Sequence, residues 1–349
     1  MRSSYKKEDV CLLLKDITGM VKPQPTRERE RLIQSGKHYC EMLPVEYTPS
    51  QAYMDAYYDA LEKFAAPTAH AAGRLADKIM GRKGKDTVLV SLARAGIPAG
   101  ILLKHYIRQK YQVDLPHYAL SIIRGRGIDR NAMRYLLDLY RPGQLLFVDG
   151  WIGKGAILRE LQKELSYFPG VSAEIAVLSD PANVTGLCGT HEDILIPSAC
   201  LNSTVSGLIS RTFLRGDIIG EADFHGAVYY GELKGQDLSY GFLNAIEAEF
   251  VMENPPENTA GAASGLGEVK AVARQFGIED INLVKPGIGE TTRVLLRRVP
   301  WKILIGAQSK DDPAISHIIK LAEEKAVPVQ YYPLTHYKAC GIIRKITDA

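Results

Sequence analysis

The sequence predicts an α/β protein, with a parallel-sheet domain followed by a small αβα sandwich. Three observations carry that expectation. Apolar runs at 87–91, 117–123, 145–148 and 174–179 have the continuous hydrophobicity of strands buried on both faces. The first three are each followed by a loop and a segment of helical periodicity, the alternation that builds parallel sheets with right-handed crossovers. Finally, a stretch of Pro, Asn, Ala and Gly at 254–267 reads as a linker, and a fresh α/β alternation follows it.

In chain order, residues 1–50 are polar and read as an irregular extension with short helices. Pro49 suits a helix first turn, and Tyr53, Tyr57, Tyr58, Leu61 and Phe64 recur at helical spacing. A second helix covers 68–80 and ends in a turn. Strand 87–91, a loop through Arg94 and Gly96, and helix 100–108 form one unit. Strand 117–123, a basic loop at 124–130 and helix 132–140 form the next. Strand 145–148, a glycine loop and a helix carrying Ile157, Leu161 and Leu165 form a third. Strand 174–179 follows, with a further strand expected at 193–196, a helical segment at 206–214 and a helix at 240–251. After the linker come helix 268–276, strand 281–284, helix 290–298, strand 302–305, helix 313–326 and strand 328–332. The expected units are thus an extension at 1–50, a first domain at 51–253, the linker, and a second domain at 268–349.

The 349 residues are 46% hydrophobic and 24% charged, an ordinary globular balance, and the net charge of +3 names no partner by itself. No apolar run is long enough to span a membrane, and the N-terminus lacks a signal-peptide pattern. The five cysteines, Cys11, Cys40, Cys188, Cys200 and Cys340, are odd in number, scattered, and free of any C-x-x-C pair. Reduced thiols in a cytoplasm are expected, rather than a disulfide framework or a structural zinc site. A homo-oligomer is compatible with all of this, and the sequence does not fix its order.

The densest functional signal is 149–156. Asp149 ends an apolar strand; Gly150, Trp151, Ile152, Gly153, Lys154, Gly155 and Ala156 follow, and a helix begins. Loop glycines let backbone N–H groups approach an anion, the helix N-terminus adds positive potential, and Lys154 adds a full charge. An ordinary βα turn is the competing account. A P-loop is excluded, because Val148 stands where its first glycine belongs and Gly155 where its Ser/Thr belongs. Arg124, Arg126 and Asp149 follow predicted strands, as does Arg94, where ligands of parallel sheets bind.

The order strand, acid, hydrophobic pair, glycine turn, helix resembles the phosphoribosyltransferases of type I fold. That resemblance implies Asp149 on ribose hydroxyls, residues 152–156 on a 5′-phosphate, and Arg94-Ala95-Gly96 as a pyrophosphate loop. It places Arg124 and Arg126 on a mobile loop. It further implies transfer from phosphoribosyl pyrophosphate or a related ribose-phosphate compound, with Mg²⁺ arriving on the substrate rather than on protein ligands. Gly150 departs from the pattern by replacing its second acid. The longer runs SLARAGIP, SIIRGRGIDRNAM, FVDGWIGKGAI and GTHEDILIPSACLNSTVSGLISRTF resemble bacterial phosphoribosyltransferase-like proteins of tellurium-resistance and stress operons. Some of these are labelled cysteine protease precursors. A thiol protease needs a Cys activated by a His. Cys188, with His191 close in sequence, and Cys200 are the candidate nucleophiles, and His225 is a further base. Asn202 and the hydroxyls after it suit a helix cap. A sensor that binds a nucleotide or RNA without turnover is the non-enzymatic alternative.

In the second domain, Lys285, Arg293, Arg297, Arg298 and Lys302 cluster around a glycine turn, with Glu290 the only acid. Lys285, Gly287, Gly289, Glu290, Thr291, Arg293 and Arg297 resemble the RNA-binding segment of Pelota and the kink-turn-binding ribosomal proteins. That implies contact with RNA through shape and charge. Residues 326–332 and 338–341 resemble that domain's closing strand and final helix start.

Overall fold

Alternate residues of each apolar run face opposite helical layers, which explains why the runs lack a polar side. The computed structural model describes residues 1–254 and 264–345. The first part of the chain forms β1 (Cys11–Leu12), β2 (Lys15–Asp16), α1 (Thr26–Gln34) and α2 (Gln51–Arg82). Three βα units follow, β3 (Val88–Ala93) with α3 (Gly96–Tyr111), β4 (His117–Ile123) with β5 (Gly127–Ile128) and α4 (Arg130–Leu139), and β6 (Leu145–Trp151) with α5 (Ala156–Leu165). Then come β7 (Ile175–Ser179), β8 (Cys188–Thr190), β9 (Gly226–Ala227) and α6 (Ser239–Glu247).

The central sheet runs β1-β4-β3-β6-β7-β8, all parallel, with β5 added antiparallel to β4. Leu89, Leu146, Val148 and Ala176 meet α2, α3 and α6 on one face. Val90, Phe147 and Val177 meet α4 and α5 on the other. Residues 1–50 supply the edge strand β1 and bury Val10, Leu14 and Ile17.

In the first domain three elements differ from expectation. The two N-terminal helices are one, α2, which continues through Pro67 because its Ala-rich flank is buried against the sheet. Residues 206–214 are extended rather than helical, with bridges Ile209–Tyr229 and Phe213–Gly226. The strand expected at 193–196 lies earlier, at β8, and 197–200 form a 3₁₀ turn.

The second domain holds α7 (Leu266–Gln275), β10 (Val284–Pro286), α8 (Ile288–Arg297), β11 (Pro300–Gly306), α9 (Ser316–Glu324), β12 (Val329–Tyr332) and β13 (Ala339–Ile343). Its sheet order is β10-β13-β11-β12. Of residues 338–341, expected to start a helix, 339–341 belong instead to the inner strand β13, all five residues of which are buried. Leu304, Cys340 and Ile342 pack on α7. Ile303, Ile305 and Ala339 pack with α8 and α9 in a core continuous with that of the first domain. Of the expected linker, 255–263 lie outside the described residues.

Candidate active site and interdomain cavity

Parallel strands leave their loops at one edge, so Arg94 after β3, Arg124 after β4 and the 149–156 loop after β6 come together there. The second domain docks over that edge. The two constellations that are far apart in sequence therefore face one cavity of about 1310 Å³.

Asp149 accepts a hydrogen bond from the Gly150 amide (2.8 Å), and burial pushes its carboxyl up to about 7. Lys154 donates to the carbonyls of Ile281 (2.6 Å) and Val284 (2.8 Å). Burial, with Lys285 nearby, pulls its ammonium down to about 7. Ala95, Trp151, Ile152, Gly153, Gly155 and Ala156 also line the cavity. Gly96 does not reach it as a ligand contact; a Cβ there would meet the Val148 carbonyl at 2.3 Å, so this glycine serves the packing of α3 on β6. Gly150 faces the Ala95 carbonyl.

Arg94 donates to the Ile209 carbonyl (2.6 Å) and lies 3.7 Å from Glu46. Arg124 donates to Asn282 Oδ1 (2.8 Å) across the domain boundary. Arg126 turns outward to Glu41 (2.8 Å) and is not part of the constellation. From the second domain, Lys285, Glu290, Arg293 and Arg297 line the cavity. Arg293 pairs with Glu290 (3.3 Å) and stands over the Trp151 ring, 5.3 Å from its centroid. Arg297 donates to the carbonyls of Ala199 (3.4 Å) and Leu201, and burial pulls its guanidinium down to about 9. Gly287 makes the turn into α8 at φ +94°, Gly289 lies beside Trp151, and Thr291 is buried. The residues expected to present an RNA surface thus face the first domain. The cause is Asp193, whose carboxylate accepts from the amides of Ile288 (2.9 and 3.1 Å) and Lys338 (2.9 Å) and so caps α8 from the other domain.

The thiols sort by their partners. Cys188 lies on β8, which is packed so closely on α2 that a Cβ on Gly189 would stand 2.1 Å from the Ala71 carbonyl. Its Sγ is 3.3 Å from His191 Nε2. His191 Nδ1 lies 3.0 Å from the Asp180 carbonyl oxygen and 3.9 Å from Asp180 Oδ2. A carbonyl only accepts, so Nδ1 carries the proton and Nε2 presents its lone pair to the thiol. Burial pushes the Asp180 carboxyl up to about 6, and its Oδ1 is buried without a hydrogen-bond partner. Cys200 sits beneath α8, and burial pushes its thiol up to about 12. His225 bonds Ser121 Oγ (2.8 Å). Asn202 caps only the short 3₁₀ turn Ser203–Val205.

Two features escaped the sequence. Asp180 ends an apolar run just as Asp149 does, a signal that was available. His38 Nδ1 lies 2.9 Å from Cys40 Sγ, but burial pushes that thiol up to about 11 and the imidazole down, so the pair stays neutral.

A family model described as tellurite-like stress resistance cysteine protease StiP matches residues 3–247. A second, described as a PELOTA RNA binding domain, matches residues 263–345. A protein of Acinetobacter baylyi named cysteine protease StiP is 35% identical over 366 residues, covering 98% of this chain and 94% of that protein. These matches overturn the expected phosphoribosyl transfer, with its phosphoribosyl pyrophosphate and Mg²⁺, because family and relative alike are described as cysteine proteases. At the loop, burial keeps Asp149 protonated up to about neutrality, and its neighbour Glu290 is paired with Arg293. Among the described residues, no group of three or more His, Cys, Asp or Glu side chains is placed to hold a metal, and no helix is long and apolar enough to cross a membrane.

Proposed function

Since this chain belongs to the StiP family of tellurite-like stress resistance cysteine proteases, we propose that it hydrolyses peptide bonds with Cys188 as nucleophile and His191 as base. The observation that carries this reading is the 3.3 Å approach of Cys188 Sγ to His191 Nε2, with Nδ1 held on Asp180. His191 Nε2 takes the thiol proton, and the thiolate adds to the substrate carbonyl. The imidazolium then protonates the departing amine, leaving a thioester that water hydrolyses with His191 again as base. Asp180 orients the imidazole and, once ionised, stabilises the imidazolium.

Access is the remaining requirement. Cys188 has no exposed surface, whereas the His191 side chain is 32% exposed, so a peptide approaches from the imidazole side. The turn after β7 must yield; it is tied down by Asp180 Oδ2, which accepts from the amides of Val184 (2.7 Å) and Thr185 (2.8 Å).

Hydrolysis of a mixed peptide library, read by mass spectrometry, tests the assignment. Cys188→Ala should abolish it and His191→Ala should slow it by roughly 10²–10⁴-fold. Cys200→Ala should leave it intact. Cleavage that survives in Cys188→Ala refutes the assignment. In the same reading, the first domain uses an architecture like that of type I phosphoribosyltransferases as a scaffold, supported by the acid-ended β6 leading through a glycine loop into α5. RNA contact by the second domain is supported by the match over 263–345.

A further inference from the structure

We propose that the interdomain cavity is a binding site for a multiply charged phosphate anion, gripped at once by arginines of the first domain and by cations of α8 and β10. Eleven Arg and Lys residues line the cavity against five Asp and Glu. Such an excess is ordinary on an open surface, where water solvates each charge, but costs more where the cations are half-buried, as Arg29, Arg124, Lys154, Arg211, Lys285 and Arg297 are.

Four of these cations, Arg124, Lys154, Arg211 and Arg297, are held by neutral oxygens and by no carboxylate among the described residues. Arg211 donates to the carbonyls of Tyr39 (2.6 Å) and Met42 (3.1 Å) and lies over the Tyr39 ring. Arg297 is held by two carbonyls, Lys154 by two more, and Arg124 by an amide oxygen. These bonds fix geometry without cancelling charge. Among the described residues, Arg29, Arg124, Lys154, Arg211, Lys285 and Arg297 have no carboxylate within ion-pairing distance. The Nε–H groups of Arg29, Arg211 and Arg298 are buried without a hydrogen-bond partner. Burial and neighbouring cations pull Arg211 down to about 9, in keeping with positive charge that lacks its counterion.

Fixed guanidinium forks match phosphate oxygens in planar, paired geometry, and several converging forks match several phosphates. The ligand is therefore an anion with more than one phosphate. Two sources share that chemistry, a free polyphosphate and the backbone of an RNA strand. Because the cations come from both domains, the anion bridges them. The site does not involve Cys188, so it stands or falls separately from the peptidase assignment.

Calorimetry on full-length Cys188→Ala protein at low salt tests the proposal, with sodium tripolyphosphate and a short single-stranded RNA as probes. Tripolyphosphate should bind with a steep loss of affinity as salt rises. Competition by the RNA identifies strand phosphates as the source; tripolyphosphate binding that RNA does not disturb identifies a free polyphosphate. Arg29→Gln should weaken binding by roughly tenfold or more, since Arg29 makes no hydrogen bond that its loss would break. Arg211→Gln should do the same, with folding checked because Arg211 also holds two carbonyls. Arg126→Gln, on the outer surface, should bind as the parent does. Absence of binding by both probes, or equal weakening by Arg29→Gln and Arg126→Gln, overturns the proposal.

Discussion

Replacing Asp193 by alanine removes a carboxylate that joins the start of α8 to the first domain. Its two oxygens accept three contacts from two amides, Ile288 and Lys338, and the side chain is buried. Truncation leaves both N–H groups away from water with no acceptor. A stranded buried donor costs about 1–3 kcal/mol, so the pair should cost roughly 2–5 kcal/mol, less whatever a water entering the vacated space recovers. Asp193→Asn keeps one good acceptor and should lose about half as much. Two measurements read the effect: the urea midpoint of the full chain, and hydrogen exchange at the Ile288 and Lys338 amides. The global midpoint alone is ambiguous for a chain with two domains, whereas exchange at those two amides reports the local contact. A loss below about 1 kcal/mol with both amides still protected would show that the cap does not hold the domains together.

Two further outcomes follow from titrating groups. The Asp149 carboxyl is held at about 7 by burial, above its unfolded value, so the native state binds its proton more tightly. Its contribution is present below about pH 4 and lost as pH rises towards 7; Asp149→Asn should remove that dependence and be more stable than the parent at pH 8 by roughly 1–2 kcal/mol in chemical denaturation. His105 lies between Asp9 (2.8 Å) and Glu247 (2.7 Å), whose hydrogen bonds outweigh burial and raise its pKa. The stabilisation is full below the unfolded value near 6.5 and fades as pH climbs through the raised one, so His105→Ala should cost about 3 kcal/mol at pH 5.5 and less at pH 9. An equal cost at both values would count against the ion-pair account.

The buried parallel strands were legible because residues facing two helical layers are apolar without interruption, as in β3, β4, β6 and β7. Strand β8 was not, because three residues of an edge strand give no period, and the apolar residues just after it serve a 3₁₀ turn under α8. The apolar spacing of 205, 208, 209 and 213 mimics a helix. Gly207 at φ +73° and Leu208 at φ +55° break it, and the side chains enter the core from an extended segment instead. The residues of the 149–156 loop and of α8 were each recognisable as cation-bearing turns. That they face each other was not, because the contact of Lys154 with Ile281 and Val284 spans far more sequence than any local pattern. The thiol site was half legible: Cys188 and His191 are neighbours in sequence, but Asp180 joins them only through the pairing of β7 with β8.

That docking also bears on why the two domains share a chain. The segment from Asp180 to Leu201 carries the candidate triad, and the second domain holds it at three places. Ser264 Oγ and the Gly265 amide donate to the Ala182 carbonyl (3.2 and 3.1 Å), just beyond Asp180. Asp193, two residues after His191, caps α8. Arg297 binds the carbonyls of Ala199 and Leu201. A catalytic Cys–His pair tolerates little displacement, and the ends of this segment are fixed by contacts to the second domain rather than by a long strand pairing. The cations Lys285 of β10 and Arg293 and Arg297 of α8 also line the cavity. Asp193 and Arg297 thus tie α8 to the segment that carries His191.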